Sequence, residues 1–194
     1  MATGPRLVLL RRPYWFLRHG ETDWNRDNRT QGSTDIPLNE NGVAQARAAA
    51  ALLCGRGIET IVCSPLTRAR RTAEIVAGVL RLPVQVRSDL REASFGVHEG
   101  EVMGAWFAAW VEERVVPEGG ESFAAVRARV VAALNEVLAG GSMTLIVAHG
   151  GVFRTVRAAM GFTATVRTPN GAPLFCEPAV DRWRMSPAEA AAEQ

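Results

Sequence analysis

The chain contains no lysine: all 22 of its basic residues are arginine. It therefore lacks the amine that Schiff-base chemistry needs and the lysine of a phosphate-loop nucleotidase. Genome base composition, also visible in the abundant alanine, is the simplest cause. The consequence is that every cation is a planar fork able to clasp phosphate or carboxylate through two parallel hydrogen bonds. Excess charge is scarce too. The net value is +2 at pH 7, which argues against a nucleic-acid or anionic-membrane partner recognised through bulk charge. Cysteine is limited to Cys54, Cys63 and Cys176, an odd set without CxxC spacing, so neither a disulfide frame nor a zinc site is expected. Long apolar runs are missing as well. Leu7 to Leu10 give four apolar residues before Arg11 and Arg12, against about 7 to 15 in a secretory leader and about 20 in a membrane span. These absences predict a soluble, cytoplasmic protein with reduced thiols.

What the chain does have is apolar bulk. A hydrophobic content of 47% over 194 residues suffices for one buried core, and no repeat or long linker divides it. We expect a single domain over 1–194, frayed at 1–12 and 186–194. Strand and helix signals alternate. "YWFL" (14–17) reads as a first strand, followed by a helix capped by Asn39 and ended by Gly55 and Gly57. "IETIVC" (58–63) is a second strand. The next helix has Ser64 as N-cap and Pro65 at its first position, with Leu66, Ala69, Ala73, Val76 and Leu80 at helical spacing. "LPVQVR" (82–87) is a short third strand. Two helical stretches lie between 101 and 139. "MTLIVA" (143–148) is a fourth strand, and "GGVFRTVRAAMG" a helix. "PLFCEP" and "RWRM" supply edge strands. Strands apolar on both faces, alternating with helices, predict a three-layer α/β/α sandwich around a mainly parallel sheet.

In such a sheet, ligands bind beyond the carboxyl ends of the strands. The polar residues that follow each strand are Arg18, His19, Gly20 and Glu21 after the first, and Ser64 and Arg68 after the second. Arg91 and Glu92 follow the third, and His149, Gly150 and Gly151 the fourth. Each has a dull reading: a single buried histidine is commonly structural, and a lone glutamate is a solvated carboxylate. Arg68 tells more, because a cation near a helix N-terminus opposes the macrodipole unless an anion is to be held there. Gly150 and Gly151 open a helix whose free amides also suit an anion. Together these residues describe an oxyanion pocket with two guanidinium groups, two imidazoles and one acid.

The same residues resemble the histidine phosphatase superfamily, the phosphoglycerate mutase-like group. The blocks are "RHGETDWN", "QGSTDIPLNENGVAQA", "SPLTRARRTAE", "LREASFGVHEG", "GGES" and "VAHGG", in order across about residues 14 to 155. The resemblance implies a phosphohistidine mechanism with His19 as nucleophile, Glu92 as proton donor, protonated when substrate binds, and Arg18, Arg68 and His149 as a charge clamp. Asn25 takes the place of the supporting amide donor, and Thr22, Gln31 and Gly150 join it in the substrate-binding set. No metal or other cofactor is implied, and the partner is a small phosphate ester, with no nucleic acid and no membrane. A homodimer stays open.

Three departures stand out. His98 occupies a position where relatives commonly carry the tryptophan of "WEG", and a tolerated swap is the simpler reading. Ala148 replaces a frequent serine, and residues 1–12 have no assigned role. The segment between Glu92 and His149 is short beside that of the mutases, which enclose a bisphosphate, so hydrolysis is expected. The alternatives are a phosphoglycerate mutase primed by a bisphosphate, a catalytically silent phosphate-binding module, and a metal hydrolase built on His19, His98 and His149. The last has no HxH or HExxH spacing behind it. Specificity is expected from a helical lid over 93–140, above all 93–125, with Trp106, Phe107, Trp110, Phe123, Arg114 and Glu121. Trp106 and Trp110 either face a ligand or pack on the sheet, and packing is favoured. Sugar phosphates, phosphoserine, alpha-ribazole phosphate and phosphoglycerates fit the sequence alike.

Overall fold

The computed structural model describes residues 7–189. Its strands are β1 (Tyr14–Arg18), β2 (Thr60–Cys63), β3 (Val84–Val86), β4 (Thr144–Ala148), β5 (Pro173–Pro178) and β6 (Trp183–Pro187). They form one sheet in the order β3-β2-β4-β1-β5-β6. β1 to β4 run parallel, β5 runs against them, and β6, antiparallel to β5, runs with them again. The expected third, second and fourth strands are all present, shorter by one or two residues at an end. One expectation needs correcting: β5 is interior, paired with β1 on one side and β6 on the other.

Alternation within each strand divides the core in two. Phe16, Val62 and Ile146 point to the face covered by α5 (Phe123–Ala139) and α6 (Gly150–Ala159). Leu17, Ile61, Cys63, Leu145 and Val147 point to the face covered by α2 (Glu40–Leu53) and α3 (Thr67–Leu80). Two short helices, α1 (Asp23–Arg26) and α4 (Trp106–Val111), lie in the connections. The result is a three-layer α/β/α arrangement, as the sequence pattern indicates.

Helix ends show where local rules hold and where they yield. Asn39 caps α2, its side chain accepting from Gly42 N at 2.8 Å. Ser64 does not cap α3. That helix starts at Thr67, whose amide and hydroxyl both donate to Asp35, at 2.8 and 2.6 Å. The Ser64 hydroxyl is engaged instead with His149 and with Leu66 N.

The ends are less frayed than expected. Leu9 is buried, and Asn135 of α5 clamps its neighbours, accepting from Leu10 N at 2.7 Å and donating to Val8 O at 2.9 Å. Arg11 donates to the Ala179 carbonyl. At the other end, Ser186 and Pro187 pair in β6. The remainder of both expected frayed segments, 1–6 and 190–194, lies outside the described residues.

Candidate active site

The register of the sheet aligns the chemistry. Arg18 pairs with Ala148, and Cys63 with Val147, so β1, β2 and β4 end side by side. The pairing continues past the strands through His19 N to Ala148 O at 3.0 Å and Ser64 N to Val147 O at 3.1 Å. This brings His19, His149 and Ser64 to one edge, and α3 delivers Arg68 to the same place.

His19 and His149 face each other with ring centroids 5.2 Å apart and planes inclined by 58°. Both are buried. Nδ1 of His19 lies 2.7 Å from the Gly20 carbonyl. A carbonyl only accepts, so Nδ1 carries the proton and Nε2 keeps its lone pair. Burial pushes the His19 pKa well below its ordinary value, and the nearby Arg68 and Arg18 push it further. The ring is neutral at neutral pH, with the lone pair of Nε2 available. His149 is likewise lowered, by burial first and then by Arg68, His19 and Arg18. Its Nε2 meets the Ser64 hydroxyl at 2.7 Å while its Nδ1 has no protein partner.

The two arginines are held by main-chain oxygens. Arg18 donates through Nη1 to Thr168 O at 2.7 Å. Arg68 donates through Nη1 to Thr34 O at 2.9 Å and through Nη2 to Gly32 O at 2.7 Å. In each, Nε is buried without a partner. Burial lowers Arg18 to about 10, opposed by Glu92 and reinforced by Arg167, Arg154 and Arg68. A buried donor without an acceptor is costly, about 1–3 kcal/mol. The loop that receives Arg68 is itself fixed by Glu99, which accepts from Ser33 N, Thr34 N and Phe95 N at 2.8 to 3.0 Å.

Glu92 overturns one expectation. Its Oε2 accepts from Gly151 N at 2.8 Å, and Oε1 from Val152 N and Ala93 N at 3.1 and 2.9 Å. The Gly151 and Val152 amides at the start of α6 are thus occupied by the protein's own carboxylate, not free for a ligand. A Cβ on residue 151 would stand 2.5 Å from Glu92 Oε1, so any side chain there would push the carboxylate aside. A proton on this acid would sit on a lone pair turned away from those amides.

Among the substrate-binding expectations, Asn25, Gln31 and Gly150 line the cavity with Arg18, His19, Arg68 and Glu92. Asn25 Oδ1 accepts from Thr22 N and Asn170 Nδ2 at 3.3 and 3.0 Å, leaving its NH2 end unspent. Thr22 is placed differently. It is fully buried as the N-cap of α1, accepting from Asn25 N at 3.1 Å, and reaches the site only by fixing Asn25.

The lid is also rearranged relative to expectation. Of its six singled-out residues, Phe107 alone lines the cavity, beside Met103. Trp110 is fully buried and donates to Glu121 O at 2.8 Å, and Phe123 packs against it. Glu121 is engaged with Arg129 and Arg91, and Arg114 with Glu112. Trp106 stacks on His98, 4.2 Å apart and nearly parallel at 10°, while His98 Nδ1 meets Glu101 at 2.9 Å. His98 therefore stands outside the cavity lining. Among the described residues, no three His, Cys, Asp or Glu side chains come together to hold a metal ion.

Sequence reading missed Arg154, Arg167, Thr168 and Asn170. Asn170 donates to His19 O at 2.9 Å and bridges to Asn25. Arg154 carried a signal, being four residues after Gly150 and so on the same side of α6. Arg167, Thr168 and Asn170 lie in a loop whose path only the tertiary structure fixes.

A family model described as the histidine phosphatase superfamily, branch 1, matches residues 14–168. An uncharacterized phosphatase, PhoE, of Bacillus subtilis (strain 168) is 48% identical over 84 residues, 43% of this chain and 44% of that protein. The chain thus matches less than half the length of that relative. A probable phosphoglycerate mutase, GpmB, of Cronobacter sakazakii is 35% identical over 84% of this chain and 77% of its own. The adenosylcobalamin/alpha-ribazole phosphatase of Escherichia coli (strain K12) is 35% identical over 71% of this chain and 73% of its own. Among solved structures, a mycobacterial glucosyl-3-phosphoglycerate phosphatase complexed with VO3 superposes with a TM-score of 0.79 at 32% identity, covering 91% of this chain and 97% of the other.

Proposed function

Because the chain belongs to the histidine phosphatase superfamily, branch 1, we propose that this phosphatase hydrolyses a small phosphomonoester without a metal ion, through a phosphohistidine on His19. The observation that carries the reading is the hydrogen bond from His19 Nδ1 to Gly20 O, which leaves the Nε2 lone pair free on a ring that lines the cavity with Arg18 and Arg68 and has the His149 ring 5.2 Å away. Nε2 attacks phosphorus, the ester P–O bond breaks, and the leaving alkoxide takes a proton from Glu92. Arg18, Arg68, the unpaired Nδ1 side of His149 and the Asn25 amide surround the equatorial oxygens, where charge spreads in the transition state. Water then gives its proton to the Glu92 carboxylate and attacks phosphorus. The P–N bond breaks, and inorganic phosphate leaves with His19 neutral again.

A second reading, phosphoryl transfer between two hydroxyls, has the resemblance to a probable phosphoglycerate mutase behind it. The cavity is open on the side of Arg167 and Arg29, both exposed, which lets water reach the phosphoenzyme and favours hydrolysis. The test is a phosphomonoester panel read by inorganic phosphate, with His19→Ala beside the wild type. Wild-type turnover should fall by about 10⁴-fold or more in the variant, the scale of removing a nucleophile. Acid-labile, alkali-stable phosphate should be trapped on the wild type alone. Equal rates in the two proteins would discard the mechanism. Mutase turnover of 3-phosphoglycerate with a bisphosphate primer, well above phosphate release, would replace hydrolysis by transfer.

A further inference from the structure

The cavity carries more positive charge than one phosphate uses. Arg18, Arg29, Arg68, Arg154 and Arg167 line it, with Glu92 as its one acid, and both facing histidines are neutral by the lowering described above. Five guanidinium groups leave an excess of four with Glu92 as a carboxylate and of five with Glu92 protonated, as the proposed donor step requires, and a phosphomonoester dianion removes two. None of these five arginines has a carboxylate within ion-pair distance among the described residues, although nine other arginine–carboxylate pairs form elsewhere. The imbalance is local to the cavity.

Position separates the charges into two groups. Arg18 and Arg68 are buried at the sheet edge beside His19. Arg154 lies on α6, half buried, its guanidinium 5.1 Å over the Phe107 ring and its Nη1 donating to Ala164 O at 2.9 Å. Arg167 precedes Thr168, whose carbonyl holds Arg18, and Arg29 donates to Gly100 O at 2.8 Å. These three stand towards the lid with Phe107 and Met103, on the side where a leaving group lies. Arg154 is lowered by burial first, with Glu92 opposing and Arg167 adding to the effect. Arg167 thus presses on both Arg18 and Arg154, an unrelieved repulsion between like charges.

We propose that Arg154 and Arg167, with Arg29 at the rim, form a second anion subsite, so that the substrate carries a further carboxylate or phosphate on its leaving group. The inference rests on the phosphatase reading of the same cavity. The forked guanidinium matches either oxyanion by paired hydrogen bonds, and the Phe107 face backs Arg154 while presenting an apolar surface to the carbon skeleton. A neutral leaving group brings the two cations no counter-charge and binds more weakly.

The experiment compares 3-phosphoglycerate with glycerol 3-phosphate, which has an alcohol in place of the carboxylate, and fructose 1,6-bisphosphate with fructose 6-phosphate. Dissociation constants are measured by calorimetry on His19→Ala, which cannot turn over, and phosphate release on the wild type. At least one doubly anionic ligand should bind ten-fold or more tightly than its partner. A gain for 3-phosphoglycerate alone assigns a carboxylate, and a gain for the bisphosphate alone assigns a phosphate. Adding Arg167→Gln, which alters an exposed side chain, or Arg154→Gln should bring the favoured ratio to within about three-fold of unity. Ratios near one in both pairs, or a preference that survives both substitutions, overturn the subsite. Phosphate release from none of the four by the wild type counts against the hydrolase reading instead, because the binding ratios are obtained without turnover.

Discussion

The two halves of the cavity are built in opposite ways. The inner half, with Arg18, His19, Arg68 and His149, is buried at the ends of three parallel strands, and main-chain carbonyls or a serine hydroxyl fix each polar group. The outer half, with Phe107, Met103, Arg154, Arg167 and Arg29, comes from a short helix, loops and one side of α6, and much of it is exposed. The difference teaches how one scaffold separates reaction from recognition. In the proposed mechanism, the groups that meet phosphorus within tenths of an ångström are mounted on the sheet, where strain is not tolerated. Those proposed to choose the leaving group are mounted where sequence can change without disturbing the core.

The sharpest way to break this comparison is to move one inner group by its neighbour's backbone. In Gly151→Ala, the new Cβ must displace Glu92, and a shift of about 1 Å in a catalytic group costs on the order of 10²-fold. We expect kcat to fall by that order with little change in thermal midpoint. Unchanged kcat would show that Glu92 is not the positioned acid. A smaller effect concerns pH. His19 and His149 stay neutral in the fold below the value near 6.5 at which the unfolded chain takes up protons. Their folded pKa values are depressed, so stability from this source is full above that pH and declines as the pH drops through it. The midpoint of unfolding should decrease between about pH 7 and 5, and less steeply in His149→Asn. Equal slopes would show that the ring is solvated. The smallest effect on activity belongs outside both halves. Leu9→Ala should cost about 2–5 kcal/mol of stability and leave kcat within two-fold, roughly the margin for a site that the change does not touch. A stability loss under about 0.5 kcal/mol, the usual size for surface changes, would mean that the segment before β1 is not docked.

The inner half was largely legible in sequence, the outer half hardly at all. Strands that are apolar throughout end in "RHGE" and "AHGG", so the residues at their carboxyl ends must converge once the sheet is parallel. Ser64 shows the limit. Local propensity assigns it to a helix cap, yet its hydroxyl is worth more to an imidazole 85 positions away, a partner no window of sequence contains. Glu92 is similar: its carboxylate takes the helix start that the two glycines seemed to leave free, because the loop after β3 folds back over α6. In the lid, aromatic spacing locates a helix, and the favoured packing of Trp106 and Trp110 away from the ligand holds, but it does not distinguish Phe107 as the cavity-lining residue. Trp110 fills the core and Phe107 reaches the cavity, although the two are only three positions apart.

The placement of β1 has a consequence for how the molecule comes into being. β1 precedes both of its neighbours in chain order: it is flanked in the finished sheet by β4 and β5, and Trp15 waits for Leu145 and Phe175. Until those segments have been synthesised, a ribbon of tyrosine, tryptophan, phenylalanine and leucine has no partner strand, the kind of sticky intermediate that chaperones shield. His19 follows directly on that ribbon, so the site takes shape in one late step, when β4 and β5 close around β1.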